Sequence, residues 1–208
     1  MYQLDANAAR KADTNGATIK ELGKYVGEFI QAKDIDTKKG GKGIEFIFKS
    51  AAGQKAKLSI YTTGANGEKY QGFEALMAIM TCMQVKSIRP QKGVVTRYDR
   101  DTKTEVKEKG QVFVDLCKPI GILLETEDYV KQDGSGIGTQ MVLKNVFNAS
   151  NELTASEILD RKTQPEQLAK MVLSLRHRPV KGAPAQHSQQ GNYQDMPSNF
   201  DVDSEIPF

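Results

Sequence analysis

The sequence predicts a mainly β domain built around one buried helix, followed by a short helical extension and an acidic tail. Three observations carry this. Runs rich in β-branched and aromatic residues recur from Lys24 to Phe147, punctuated by Gly- and Asn-containing turns. One segment, Phe73–Val85, breaks that rhythm with apolar residues at helical spacing. After Arg176 the composition shifts to Pro, Gly, Gln, Ser and Asn, which is linker chemistry. The 208 residues divide accordingly: a flexible segment over 1–22, the β domain over 23–150, a helical extension over 151–176, a disordered linker over 177–198 and a terminal tip over 199–208.

In order along the chain, residues 1–22 are mixed and polar, with Asn15-Gly16 as a turn signal and room for a short helix over Asp5–Lys11. Tyr25–Ala32 reads as the first strand, and Lys38–Gly43 as a basic, Gly-rich loop. Ile44–Lys49 is the second strand, Ala51–Gln54 its turn and Lys55–Tyr61 the third strand. Here the alternation is clear: Ala56, Leu58 and Ile60 point one way, while Lys55, Lys57, Ser59 and Tyr61 point the other. The helix places Phe73, Leu76, Met77 and Met80 on one face, and Ala75, Ile79 and Met83 widen it almost around the circumference, so it is expected to be buried. Val94–Asp99 and Gln111–Cys117 read as strands on either side of a charged connection, Arg100–Lys109. Ile120–Val130 is a long strand, Lys131–Gly138 its hairpin loop and Gln140–Phe147 the return. Thr154-Ala155-Ser156-Glu157 has capping-box spacing ahead of a short helix, and Pro165–Leu175 presents Leu168, Met171, Val172 and Leu175 on one face.

Three strands, a helix, then strands in hairpins is the order of an oligonucleotide/oligosaccharide-binding (OB) barrel, which has five strands with a helix between the third and fourth. The expected fold is therefore an OB-like barrel in which strands beyond five are an elaboration. A generic antiparallel α+β sheet has the same order and stays open as the alternative.

Charge distribution says more than net charge. Residues 195–208 hold Asp195, Asp201, Asp203 and Glu205 without a base, so the +3 of the chain resolves into +7 over the first 194 residues and −4 at the end. A basic body suits a polyanion, for which an acidic end can compete. The two cysteines, Cys82 and Cys117, form no CxxC and lie among apolar residues, as buried thiols of a cytoplasmic protein do. Neither a signal peptide nor an apolar run long enough for a bilayer is found, so a soluble cytoplasmic protein is expected.

Catalysis finds little support. The only histidines, His177 and His187, fall at or within the predicted linker, where no preorganised site forms. No Gly-Lys-Ser/Thr occurs, so there is no P-loop, and Gly134–Gly138 lies between two strands as a flexible hairpin. Glu125, Glu127 and Asp128 are metal-binding types, but a solvated strand edge explains them more simply. The reading is a non-enzyme without cofactor or metal.

Binding a single strand takes basic groups for the phosphates and aromatic faces for stacking, with no fixed spacing. The three-strand unit has both. Lys38, Lys39 and Lys42 line a glycine loop, Lys49 closes the second strand, and Lys55, Lys57 and Tyr61 make the outward stripe of the third; Arg97 and Tyr98 add to a later strand. Phe46 and Phe48 share a face with Ile44 and read as core, and Tyr61 is the favoured stacking platform because it is in phase with two lysines.

Two stretches resemble known families. Lys38-Lys39-Gly40-Gly41-Lys42-Gly43-Ile44-Glu45-Phe46, followed by Phe73–Cys82, is similar to bacteriophage single-stranded-DNA-binding proteins of the OB type, over about residues 23–90. The acidic run that closes on Ile206-Pro207-Phe208 resembles the C-terminal tip of bacterial single-stranded-DNA-binding proteins; the acids here are interrupted by Val202 and Ser204, where the bacterial tips are denser in Asp. The resemblance implies sequence-independent binding and protection of single-stranded DNA during phage replication, recombination and repair, in the cytoplasm of a bacterial host. It also implies a tip that recruits replication and recombination proteins of host or phage, with Phe208, Pro207 and Ile206 in an apolar pocket and Asp201, Asp203 and Glu205 on its basic rim. By the same logic the free tip lies on the DNA groove until DNA displaces it. Two other readings stay open: a mediator that anneals strands, and an adaptor that acts on proteins alone through its tip. Homo-oligomerisation fits any of them.

Overall fold

The computed structural model describes residues 18–99, 104–131 and 133–180. Alternation builds its first half. β1 (Gly23–Asp36), β2 (Lys42–Ser50) and β3 (Lys55–Thr63) form an antiparallel meander whose register stacks Phe29 on Phe48 and Ala56, and Ala32 on Phe46 and Leu58. Phe29 and Ala32 are three apart, a spacing that a regular strand sends to opposite faces; a bulge between Phe29 and Gln31 corrects the phase, so both reach the core. The Phe29 and Phe46 rings stack at 4.3 Å between centroids and Phe48 meets Phe29 edge-on at 5.9 Å. All three are almost fully buried, each contributing about 1.5–3 kcal/mol of transfer free energy.

Helix α1 (Gln71–Cys82) covers this core from the β3 side, burying Leu76, Ile79 and Cys82 with Met83 just beyond its end. It is one-sided rather than buried all round: Met77 is 39% exposed, because the helix closes an end of the sheet and turns its other face to solvent. Gly72 permits the close approach, since a Cβ there would collide with the Tyr61 carbonyl.

β4 (Gln91–Asp99) and β5 (Thr104–Val112) pair as a long hairpin. The charged connection expected over Arg100–Lys109 is thus mostly strand, and Gln111–Cys117 is the end of β5 plus a 3-10 turn at Val114–Leu116. Charge misled here because both faces of the hairpin reach solvent along most of its length, so few apolar residues mark it. β6 (Pro119–Val130) and β7 (Ile137–Phe147) form a second hairpin.

The eight strands among the described residues make an open, mainly antiparallel sheet, not a closed barrel. The path β3-β2-β1 continues into β6 and β7 through Gly23–Glu28, while the far end of β1 meets β5 at Lys33–Val112. No ladder joins β3 to β7. At that seam Thr18 bridges Lys55, the Ile19 N–H bonds the Lys55 carbonyl at 2.8 Å and the Ile19 side chain is buried. The segment therefore occupies the β3 edge that a closing strand would need.

The extension is smaller than expected. α2 (Ala155–Leu159) carries the capping box in full, whereas the helix expected over Pro165–Leu175 is only α3 (Leu168–Leu173). Chain order continues past Arg176: β8 (His177–Arg178) pairs in parallel with Thr126 and Glu127 of β6. No helix among the described residues is long and apolar enough to cross a membrane.

Candidate nucleic-acid interface

β3 alternates as its sequence demands: Ala56, Leu58 and Ile60 are buried, while Lys57, Ser59 and Tyr61 are exposed and Lys55 is half-buried on the same side. Cross-strand pairing extends this outer face, with Glu45 opposite Ser59, Ile47 opposite Lys57 and Lys49 opposite Lys55. Tyr61 sits opposite Gly43, and a Cβ at Gly43 would stand 3.2 Å from its ring, so the missing side chain makes room for the tyrosine.

At the end of this stripe the β1–β2 turn and the β3–α1 loop come together. Lys38, Lys39, Tyr61 and Tyr70 line a pocket of about 280 Å³ together with Gly41 and Gly64. The Thr37 hydroxyl accepts from the Gly41 N–H at 2.8 Å and the Thr37 carbonyl accepts from Gly40, whose φ of +83° suits glycine. Both tyrosines are about half exposed, and the Tyr70 hydroxyl donates to Glu68 at 2.9 Å, which with the charge of Glu68 raises its pKa. Tyr70 escaped the sequence reading: it stands in a loop, where no periodicity couples it to Tyr61.

The structure divides the predicted bases. Lys42 pairs with Asp36 at 2.8 Å, Lys57 with Glu45 at 2.8 Å, Lys55 with Glu105 at 3.6 Å and Arg97 with Glu108 at 3.6 Å. The bond to Asp36 raises the Lys42 pKa, and the bond from Lys33 lowers that of Glu108. Lys38, Lys39 and Lys49 have no ion-pair partner among the described residues. Exposed pairs of this kind are worth about 0–1 kcal/mol, so a phosphate can replace the carboxylate at little cost. Tyr98 lies in β4 opposite Glu105, but its side chain lies outside the described residues, as do Asp201, Asp203, Glu205, Ile206, Pro207 and Phe208.

The hairpin leans over this face. The Thr96 N–H donates to the Gln31 amide oxygen at 2.7 Å, and the Gln31 NH2 donates to the Thr96 carbonyl at 3.3 Å. Lys33 reaches Glu108 at 2.9 Å, and Val95 is fully buried beneath.

Three groups set aside in the sequence take unexpected places. Glu125 is no solvated edge residue: it is fully buried and ion-paired to Arg178 at 2.5 Å. His177 is not in a free linker, because its ring bonds the Thr126 hydroxyl at 2.9 Å and Asp128 at 3.0 Å. Cys117 is exposed, whereas burial pushes the Cys82 thiol up to about 12. Among the described residues, no three of His, Cys, Asp and Glu gather as a metal site. No protein-family model matches the chain, and no curated protein matches it.

Proposed function

We propose that this chain binds single-stranded DNA without regard to sequence, coating and protecting it, as phage proteins of the OB type do. The observation that carries the reading is the pocket where Tyr61 and Tyr70 face solvent beside Lys38 and Lys39, two lysines without a carboxylate partner among the described residues. Stacking on two aromatic faces while lysines release counterions from phosphates holds any base sequence. The strand path β3-β2-β1-β6-β7, with α1 after β3, supports an OB-like core in which the β4–β5 hairpin is an insertion and the barrel is left open at the β3–β7 seam. Loops and the faces of the second and third strands are where such domains hold oligonucleotides. No catalysis, cofactor or metal enters this reading. In it, residues 199–208 recruit replication and recombination proteins, and the protein works in the bacterial cytoplasm.

The test is fluorescence anisotropy of labelled oligo-dT and of a matched duplex at two salt concentrations. Tight binding to the single strand that weakens steeply with salt is expected; equal binding to duplex, or none, overturns the reading and favours an adaptor acting through its tip. Reversing the charge of Lys55 and Lys57 separates the same two cases, since an adaptor's β domain is indifferent to it.

A further inference from the structure

The β4–β5 hairpin has two faces: the fold uses one along β1 and the other only at its far end, through Glu105. Its register sets Gly93 against Gly110 and Val95 against Glu108 on the side that meets β1, where Val95 and Val112 are buried and Glu108 receives Lys33. The opposite side carries Lys92, Val94, Lys107, Lys109 and Gln111, all exposed. Lys92 is diagonal to Lys109, and Lys107 follows Lys109 by two positions, so the three lysines stand in a row whose backbone positions step by about 7 Å. None has an ion-pair partner among the described residues, in contrast to Lys42, Lys55, Lys57 and Arg97. Among the described residues, the one carboxylate of this side, Glu105, stands at its far end and is engaged by Lys55 at 3.6 Å. Lys92, Val94, Lys109 and Gln111 border a shallow trough of about 630 Å³, with 65% of Val94 exposed within it.

A row of uncompensated lysines along a trough is complementary to a regularly spaced run of negative charge. We infer that this outer hairpin face is a second track for the sugar–phosphate backbone of a nucleic-acid strand. It shares no residue with the Tyr61–Tyr70 pocket, which the β1–β2 turn and the β3–α1 loop line. Two strands then ride on one chain, which raises their effective concentration for each other and makes strand pairing, rather than coating alone, a product of the architecture. The inference extends the single-strand reading above and rests on it.

The experiment is a stoichiometric titration at low salt of full-length protein with a labelled oligo-dT too short to span both surfaces, for the wild type and for the K92Q/K107Q/K109Q variant. All three lysines are exposed, and an unchanged melting temperature checks that the variant folds. The wild type is expected to take two strands per chain and the variant one. The affinity of that remaining strand should move less than about threefold, and annealing of complementary oligonucleotides should slow about tenfold or more. On the wild type, the log affinity of the second strand should fall with log salt at a slope of about two, from three phosphate contacts at about 0.7 each. Adding matched duplex as competitor distinguishes the sources: loss of the second strand alone means that the track accepts either form of backbone, and no loss means that it takes single strands. One strand per wild-type chain, or two on the variant, overturns the inference and leaves the single-strand reading standing. No strand on the wild type brings down both.

Discussion

Tyr61 and Tyr70 reach one pocket from the two ends of a short loop, where Gly43 leaves room for the Tyr61 ring and Gly64 for the Tyr70 hydroxyl. Stacked bases contribute about 1–3 kcal/mol each, so Tyr61→Ala is expected to weaken oligo-dT binding by about tenfold or more, while Tyr61→Phe keeps most of it. Anisotropy titration reads both, and an unaffected Tyr61→Ala would move the strand elsewhere. Arg178 acts at the same scale but for stability. Its guanidinium is the counter-charge of the buried Glu125, whose Oε1 has no hydrogen-bond partner among the described residues. Removing the partly exposed Arg178 leaves a buried carboxylate unpaired, at a cost of about 1–3 kcal/mol, so Arg178→Ala should unfold at clearly lower denaturant. Adding Glu125→Leu to that variant should recover most of the loss; if it does not, the cost lies in β8 docking and not in the stranded charge.

At the scale of elements, the turn around α2 depends on one carboxylate. Desolvation pulls the Glu157 pKa up, but the N–H groups of Thr154, Glu166 and Gln167 and the Thr154 hydroxyl outweigh it and hold the group down to about 2. A folded pKa below the unfolded 4.5 means that this stabilisation is present above about pH 4.5 and is lost as pH falls toward 2. Glu157→Ala leaves those donors without an acceptor and should cost about 2–3 kcal/mol near neutrality. Thermal melts of wild type and variant across pH 7 to 2 should converge at the acid end; parallel curves would mean that the carboxylate is not the group responsible. The β4–β5 hairpin shows the converse. Arg100–Lys109 reads as a charged connection, although most of β5 lies in it, because the buried side of β5 is marked by little more than Val112.

For the whole molecule, the deciding feature is the seam. β3 and β7 approach without pairing, and Ile19 fills the space between core and solvent beside the Lys55 carbonyl. Ile19→Ala is expected to cost about 2–4 kcal/mol, as large-to-small changes in cores do, and to do so in the single cooperative transition of the β domain. Chemical denaturation followed by two probes tests this, and a loss below about 0.5 kcal/mol would detach residues 18–22 from the core.

What the sequence determined alone was local. Alternation from Lys55 to Tyr61 assigned each side chain of β3 to its face, the Phe46 and Phe48 pair was legible as core, and Thr154 with Glu157 announced the capping box. These rest on periods and spacings within one element, which the chain carries with it wherever it folds. The tertiary structure decided what required distant residues to meet. It left the sheet open at β3 and β7, and it turned Met77 outward. It gave Lys55 and Lys57 carboxylate partners, drew Tyr70 beside Tyr61, and buried Glu125 by laying Arg178 across it. Each of these depends on which strand edges and loops share space, and no period in the sequence encodes that.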